Sequence, residues 1–306
     1  MYPIKFKPIY KERIWGGNNL EKIFPRELPS RHIGESWELS SRMNDTSVIA
    51  NGMLAGMNLQ QIMVEYPEEI MGNKLVSGQH FPLLIKIIDA NDNLSIQVHP
   101  SDEYADEGVG EAGKTEAWYV VATKEQARIV YGLKKDITKE DFIKAVESNT
   151  LRDVVKIVPV KAGDMVLVPA GTVHALLDGV IVYEVQQNSD TTYRVYDYDR
   201  VGANGNRREL HISRALEVIN FTEQSSCDFN VSSINCQYFS MDKLIIQGVI
   251  NEKTNNQFII YCVITGTGEI IYDNLVEPLQ SGETLLIPAC LGGFSINGNM
   301  ELLKIT

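Results

Sequence analysis

Cysteine is scarce in this 306-residue chain and unevenly placed: Cys227, Cys236, Cys262 and Cys290 are the four, with none before position 227. None shows CxxC spacing and none lies near a histidine in sequence, which excludes a disulfide framework and a cysteine-held zinc site from the expectation. Long apolar runs are missing too. The longest, such as Phe81 to Ile88, is interrupted by Lys86 and falls far short of the roughly 20 residues a membrane helix needs. Residues 2–17 scatter Lys and Arg and contain no apolar block of the signal-peptide kind. Positive charge is in deficit, with 28 Lys plus Arg against 40 Asp plus Glu and a net charge of −12. That balance argues against nucleic acid or a membrane surface as partner, and an anionic ligand would have to be met by a local cluster of Lys and Arg. The expectation is a cytoplasmic, reduced, soluble protein. Nothing in it fixes the oligomeric state, and a monomer is compatible with it.

What is present is ordinary globular composition, 44% hydrophobic and 22% charged, with length for about two domains. Residues 3–15 alternate and end at Gly16-Gly17, and Gly34 to Ser40 alternates again, as strands do. Asn58-x-x-Gln61 and Thr138-x-x-Asp141 are capping boxes, predicting helices near 58–72, broken at Pro67, and near 136–150. Between and after them run short strands at 83–88, 94–99, 116–122, 127–131, 154–159, 165–168, 173–176 and 180–186. Ser213 is expected to cap a short helix through Ile219. Residues 237–306 are again short strands, at 237–249, 257–264, 267–272, 284–288, 293–296 and 300–305. A parallel sheet would need a helix between most of these strands, so the pattern predicts a mainly β chain of sandwich or jelly-roll type.

The chain also echoes itself. Gly163-Asp-Met-Val-Leu-Val-Pro169-Ala170 parallels Gly282-Glu-Thr-Leu-Leu-Ile-Pro288-Ala289. Two rolls of common design explain the echo: residues 1–228, carrying the helical segments, and residues 229–306. Where the first copy has Thr172-Val173-His174, the second has Leu291-Gly292-Gly293, so the C-terminal roll lacks a ligand and is assigned a structural role.

Chemistry gathers in the first copy. Gln97 and His99 lie two apart in an alternating run, so both leave one face of a strand. Pro169 and Gly171 shape a tight turn that returns His174 into the roll. With Glu116 from a third strand, one roll could supply Gln, His, Glu and His; the imidazole and carboxylate ligands suit Zn²⁺, whereas Gln is an uncommon ligand and weakens a generic metal inference. The spacing Gly163-x5-Pro169-x-Gly171-x2-His174 resembles the second cupin motif as far as its histidine.

Four motifs make the resemblance specific: Gln97-Val-His99-Pro100, Gly113-Lys114-Thr115-Glu116, Pro169-Ala-Gly-Thr-Val-His174-Ala175 and Gln187-Asn-Ser-Asp190-Thr-Thr-Tyr-Arg194. In this order they resemble the type I mannose-6-phosphate isomerases, a zinc-dependent cupin family, in its short bacterial form, over essentially the whole chain. The resemblance implies two cupin-type jelly rolls with a small helical insertion in the catalytic part. It implies one Zn²⁺ per chain held by Gln97, His99, Glu116 and His174, with Arg194 as the catalytic arginine and Lys114 and Asp190 beside it. It implies an enzyme that interconverts mannose 6-phosphate and fructose 6-phosphate through an enediol.

Arg194 keeps its proton, so stabilising charge and positioning substrate suit it better than acting as a base. For the base, Lys114 with a depressed pKa and a zinc-bound hydroxide are the alternatives. The longer enzymes carry a basic segment after the arginine, and Val195-Tyr-Asp197-Tyr-Asp-Arg200 departs from it. Lys86, Arg200, Arg207 and Arg208 are candidates for the phosphate, and Trp15 and Trp37 are expected in the core or pocket wall. His32, His80 and His211 fall outside the motifs. Two rivals remain, a non-catalytic sugar-binding or regulatory cupin and an oxygen-using Fe(II) cupin. The Lys114–Arg194 pair disfavours the first, since a pure binder needs neither, and Gln97 as an added ligand disfavours the second.

Overall fold

The computed structural model describes residues 1–75, 80–106, 112–201, 205–222 and 228–306; Cys227 lies outside the described residues. The first roll sets two antiparallel sheets face to face. One has six strands, in spatial order Met165–Val168, Glu116–Thr123, Val180–Gln187, Leu83–Ala90, Ile33–Leu39 and Ile9–Gly17. The other has five: Val155–Pro159, Arg128–Leu133, His174–Leu176, Ile96–Val98 and Tyr193–Tyr196.

Period-2 alternation decides what each face does. On the five-stranded sheet, Ile96, Val98, Val173, Ala175, Tyr193 and Val195 pack outward in one apolar cluster with Phe142 and Ala145 of the helix Lys139–Glu147 and Ala215 of the helix Ile212–Val218. The alternate residues Gln97, His174 and Arg194 therefore face inward. They stand in one row, because Gln97 is in register with His174 on one side and Arg194 on the other. On the six-stranded sheet Trp118, Val120, Val180 and Val182 face an apolar cluster inside the roll, while Ile85, Ile87, Tyr183 and Val185 face the C-terminal half. Strands Leu83–Ala90 and Val180–Gln187 are buried at every position because both of their faces are covered.

The C-terminal sheet runs Ser233–Asn235, Ser240–Lys253, Gly293–Ile305, Ile259–Tyr272 and Thr284–Ile287, with Leu275–Gln280 beside Ile259–Tyr272. Ile259, Tyr261 and Val263 fill its own core, and Ile260, Cys262 and Ile264 pack against the first roll. Strands Ile4–Lys7 and Val48–Ile49 extend this sheet, joining Thr284–Ile287 through Ile4↔Leu286. The division at 228/229 is thus proposed as one of repeated units, since a sheet crosses it.

The internal echo is structural. Gly163 N–H donates to Val120 O at 2.9 Å and Gly282 N–H to Val263 O at 2.7 Å, each glycine with φ near +90° at the same place in its strand pair. Both capping boxes form, starting the helices Leu59–Glu65 and Lys139–Glu147. Pro67 opens a separate helix, Pro67–Met71, in the N1 position it favours.

Some local expectations are corrected. The helix Ile212–Val218 starts ahead of Ser213 with His211 as its N-cap and no side-chain cap bond, because the His211 backbone is fixed by donating to Arg194 O at 2.7 Å. The segments 257–264 and 267–272 are one strand, as are 293–296 and 300–305. Gly268 faces Gly298 across the pair, where a Cβ on Gly268 would meet Asn297 O at 2.4 Å, so glycine keeps the ladder continuous. The strand Tyr193–Tyr196, which carries Arg194, was not expected as a strand.

Candidate metal centre and active site

His99, Glu116 and His174 come together from three strands or strand ends, with donor atoms within 4.8 Å of one another and all three residues buried. Glu116 ends the strand pairing with Val168, so the loop that follows Val168 carries His174 back over it. Gly171 makes that return possible: its φ is +84° and its N–H donates to His99 O at 2.9 Å, tying the His174 turn to the His99 strand end.

The imidazoles are held in one tautomer. Backbone carbonyls only accept, so His99 Nδ1–H donates to Thr191 O at 2.9 Å and His174 Nδ1–H to Thr172 O at 2.8 Å. Both Nε2 atoms are left as lone pairs, each 3.3 Å from a Glu116 oxygen. Burial, then the Lys114 charge, pushes His99 down to about 3, and burial pushes His174 down as well, so neither ring carries the proton that would reconcile them with the carboxylate. Burial alone would raise Glu116, but Lys114, 3.4 Å from Oε2, together with His99 and His174 outweighs it and holds the carboxyl well below its usual range. His99 Nε2 and both Glu116 oxygens are buried without a hydrogen-bond partner. Lone pairs converging on an anion in a dry site lack a cation between them, and two imidazoles with one carboxylate are a divalent-metal donor set.

Gln97 reaches the same cluster, its Nε2 3.3 Å from His174 Nε2. To act as a ligand it must turn its amide and present Oε1, the atom now 3.5 Å from Ser95 Oγ.

His174 and Gln97 line a cavity of about 440 Å³ that Lys114, Asp190 and Arg194 also line. Arg194 Nη1 donates to Glu209 O at 3.2 Å, while its Nε is buried and unpartnered. Of the phosphate candidates, Lys86 and Arg208 line the cavity; Arg200 sits in an adjoining outer cleft and Arg207 is exposed beside Asp199. Trp15 is buried in the wall, and buried Trp37 donates Nε1–H to Glu35 at 2.7 Å.

Arg13, Glu35 and Glu184 also line the cavity, and the sequence assigns a role to none of them. Glu35 accepts two bonds from Arg13, at 2.9 and 3.1 Å. Burial would raise its carboxyl, but Lys86 and Arg13 push it down to about 2. Glu184 sits 3.4 Å from Lys86 and accepts from Trp118 Nε1 at 3.0 Å. Burial, then the Glu116 charge, pushes its carboxyl up. The available signal was a lone charge inside an apolar strand, Lys86 in one and Glu184 in the other, at positions that pair in register. His211, unassigned from sequence, accepts from the Arg194 backbone N–H through Nδ1 at 3.2 Å and so helps pin that strand.

Comparison with known proteins gives consistent matches. Family models match residues 4–125 as the catalytic domain of type I phosphomannose isomerase and residues 231–306 as the cupin domain of mannose-6-phosphate isomerase. Mannose-6-phosphate isomerase ManA of Bacillus subtilis (strain 168) is 40% identical over 312 residues, covering 98% of each chain. Mannose-6-phosphate isomerase of Streptococcus mutans serotype c is 36% identical over 310 residues, covering 98% of this chain and 97% of the relative. The crystal structure of the mannose 6-phosphate isomerase from Bacillus subtilis superposes with a TM-score of 0.92 over 100% of both chains at 36% identity.

Proposed function

Because the chain belongs to the type I phosphomannose isomerases, we propose that it interconverts D-mannose 6-phosphate and D-fructose 6-phosphate with one zinc ion per chain. The observation that carries this reading is the buried His99–Glu116–His174 cluster, in which His99 Nε2 and both Glu116 oxygens lack hydrogen-bond partners and His174 lines a cavity together with Lys114 and Arg194. Gln97 completes the proposed ligand set, which suits zinc and its lack of redox chemistry. A cytoplasmic setting fits the free thiols Cys236, Cys262 and Cys290. Among the described residues no helix is long and apolar enough to cross a membrane.

The reaction moves a proton between C1 and C2 through an enediol. Zinc, when bound, supplies a Lewis acid for the oxygen on which negative charge develops. The chain's own residues hold the sugar and move the proton. Burial disfavours the Lys114 ammonium, but Glu116, Glu184, Asp190 and Glu35 outweigh it and raise the pKa, so Lys114 acts as a hydrogen-bond donor to a substrate oxygen. The proton transfer is assigned to Glu184, whose buried carboxyl faces the cavity, is pushed up toward the range a base needs, and is steadied by Lys86 and Trp118. Arg194 supplies a fixed positive charge, and Asp190 acts on it electrostatically.

The test is fructose 6-phosphate formation from mannose 6-phosphate before and after chelation, with metal content read on the same sample. Loss of turnover with zinc, and its return on adding zinc back, is the expected result. Zinc-loaded protein that does not turn the sugar over would sink the isomerase reading, and bound iron would point to the oxygenase. Glu184→Gln should keep its zinc and lose turnover; unchanged turnover would remove Glu184 from the mechanism.

A further inference from the structure

Gln187 opens the motif that continues to Asp190 and Arg194, yet it does not line the cavity and the proposed chemistry leaves it unused. It is the last residue of the strand Val180–Gln187 and is buried. The regular ladder with the strand Glu116–Thr123 stops one residue earlier, at Gln186↔Glu116. In the next rung Gln187 N–H still donates to Thr115 O, at 3.2 Å. The return bond does not use the Gln187 backbone. Thr115 N–H donates at 2.9 Å to the side-chain Oε1 of Gln187, while the main-chain carbonyl of Gln187 is taken by Ser189 N–H at 2.7 Å and Gln186 Nε2 at 2.9 Å. An antiparallel pair of this kind ordinarily exchanges two main-chain bonds. Here an amide side chain stands in for the second, and the freed carbonyl turns the chain toward Asp190.

The same side chain ties together the segments that carry the site residues. Gln187 Nε2 donates to Asp102 Oδ1 at 3.0 Å, and that oxygen also accepts from Gly113 N–H at 2.7 Å. Lys114 N–H donates at 2.9 Å to the carbonyl of Pro100, the neighbour of His99. Thr115 Oγ accepts from Ala170 N–H at 3.3 Å, in the turn that leads to His174. Beyond Gln187, Thr191 O receives His99 Nδ1–H at 2.9 Å. The packing leaves no slack at Gly113, where a Cβ would meet Asp102 N at 2.4 Å and Ser101 C at 2.6 Å. The position also explains its residue type. Thr115 N–H needs an acceptor and Asp102 needs a donor, and a primary amide carries one of each on a single carbon. Glutamate would keep the acceptor but set a second carboxylate against Asp102.

We propose that Gln187 is a positioning residue for Lys114: its side-chain amide, standing in for backbone at the end of the ladder, clamps Thr115 and so fixes Lys114 against Glu116. This rests on the isomerase reading of the site given above. Lys114 and Glu116 flank Thr115, and Lys114 Nζ stands 3.4 Å from Glu116 Oε2, so slack at Thr115 shifts the ammonium and the carboxylate relative to each other. A displacement of about 1 Å in a reacting site costs about 100-fold in rate, which places the effect on kcat.

The experiment uses the full-length, zinc-loaded protein and two variants. Gln187→Met keeps the side-chain length and removes both bonds. Gln187→Glu combined with Asp102→Asn keeps an acceptor for Thr115 N–H and sets an amide opposite the new carboxylate, which guards against a folding defect in the first. Turnover of mannose 6-phosphate is measured per bound zinc, well below the melting temperature. The Lys114 ammonium is followed by NMR in protein isotopically labelled at lysine, its signal assigned by its absence from Lys114→Met. Gln187→Met should lower kcat per zinc about 10- to 100-fold, change KM by less than about threefold and shift or broaden the Lys114 signal, and the double variant should recover kcat to within about fivefold. A lowered melting temperature with kcat per zinc and the Lys114 signal both unchanged would make Gln187 a merely structural residue and overturn the assignment, as would wild-type behaviour throughout. If the wild type does not turn over mannose 6-phosphate, yet Gln187→Met perturbs the Lys114 signal and the double variant restores it, the isomerase reading fails and the clamp stands.

Discussion

Stripping the metal and lowering the pH should destabilise this protein earlier than its carboxylates alone would allow. Burial and Lys114 push His99 down to about 3, so the folded, metal-free protein keeps that ring neutral while the unfolded chain protonates it below about 6.5. Between those values the unfolded state binds more protons, so stability is full above about 6.5 and falls as the pH is lowered toward 3. The slope approaches about 1.4 kcal/mol per pH unit for one such site, which by pH 5 amounts to about 2 kcal/mol from His99. His174, also pushed down by burial, adds in the same direction. In the window from 6.5 to 5 the raised Glu184 carboxyl works against the histidines, because the folded state takes up its proton first, so the difference from a His99 variant is what isolates His99. Glu35, pushed down to about 2, and Glu116 contribute only once unfolded carboxyls begin to protonate near 4.5. Urea unfolding of chelated protein at pH 7, 6.5, 6, 5.5 and 5 reads the effect, with His99→Gln as the control whose slope should be shallower by His99's share. An identical slope in His99→Gln would refute the claim that His99 is buried neutral in the metal-free fold.

Other substitutions separate metal from chemistry. Alanine at His99 or at His174 should lose bound zinc and turnover together, read by metal analysis and rate on one preparation. Arg194→Ala should keep its zinc and lose kcat by about 100-fold or more, the scale of a lost charge contact in a dry site; near-wild-type kcat would end its assigned role. Tyr238→Phe, in the C-terminal half, should lower kcat/KM several-fold without changing zinc content. Its hydroxyl donates to Asp102 at 2.6 Å, and Asp102 in turn accepts from Gly113 N–H at 2.7 Å and Gln187 Nε2 at 3.0 Å, which frames the turn carrying Lys114.

The residues legible in the sequence were those whose roles are written in local spacing. Gln97 and His99 are two apart, and His174 follows a proline and a glycine that shape its turn; both signals survive without knowledge of the fold. Asn58-x-x-Gln61 and Thr138-x-x-Asp141 were legible for the same reason, since a capping box closes within one helical turn. Glu184 and Lys86 were not, because what makes them a pair is the register Glu184↔Lys86 between strands almost a hundred positions apart. Glu35 and Arg13 were hidden in the same way, and so was the ion pairing of Asp197, whose partners Arg200 and Arg208 come from a turn and from the residues beyond the bridge Val201↔Arg207. Tyr-Arg-Val-Tyr does alternate, yet four residues are too few to distinguish a strand from the loop around them.

The C-terminal roll has the strand, the glycine turn and the proline of its counterpart, with Gly293 where the first roll has the cavity-lining His174. Its contribution follows from the strands it covers. Ile260, Cys262 and Leu286 bury the outer face of the sheet whose inner face presents Glu116, Lys86 and Glu184. A charged row on a sheet with one wet face would be partly solvated from behind by water entering between strands; covered on both faces, it works in a low dielectric, where displaced carboxylates and fixed ammonium groups act most strongly on a substrate. The same covering fixes strand register, so Glu184 cannot slip from Lys86 without turning Tyr183 and Val185 out of the apolar interface. Through Tyr238 and Asp102 the second roll also reaches the turn before Glu116. A repeat without a counterpart of His174 thus helps to hold the His99–Glu116–His174 cluster of its neighbour, through its apolar face and one hydroxyl.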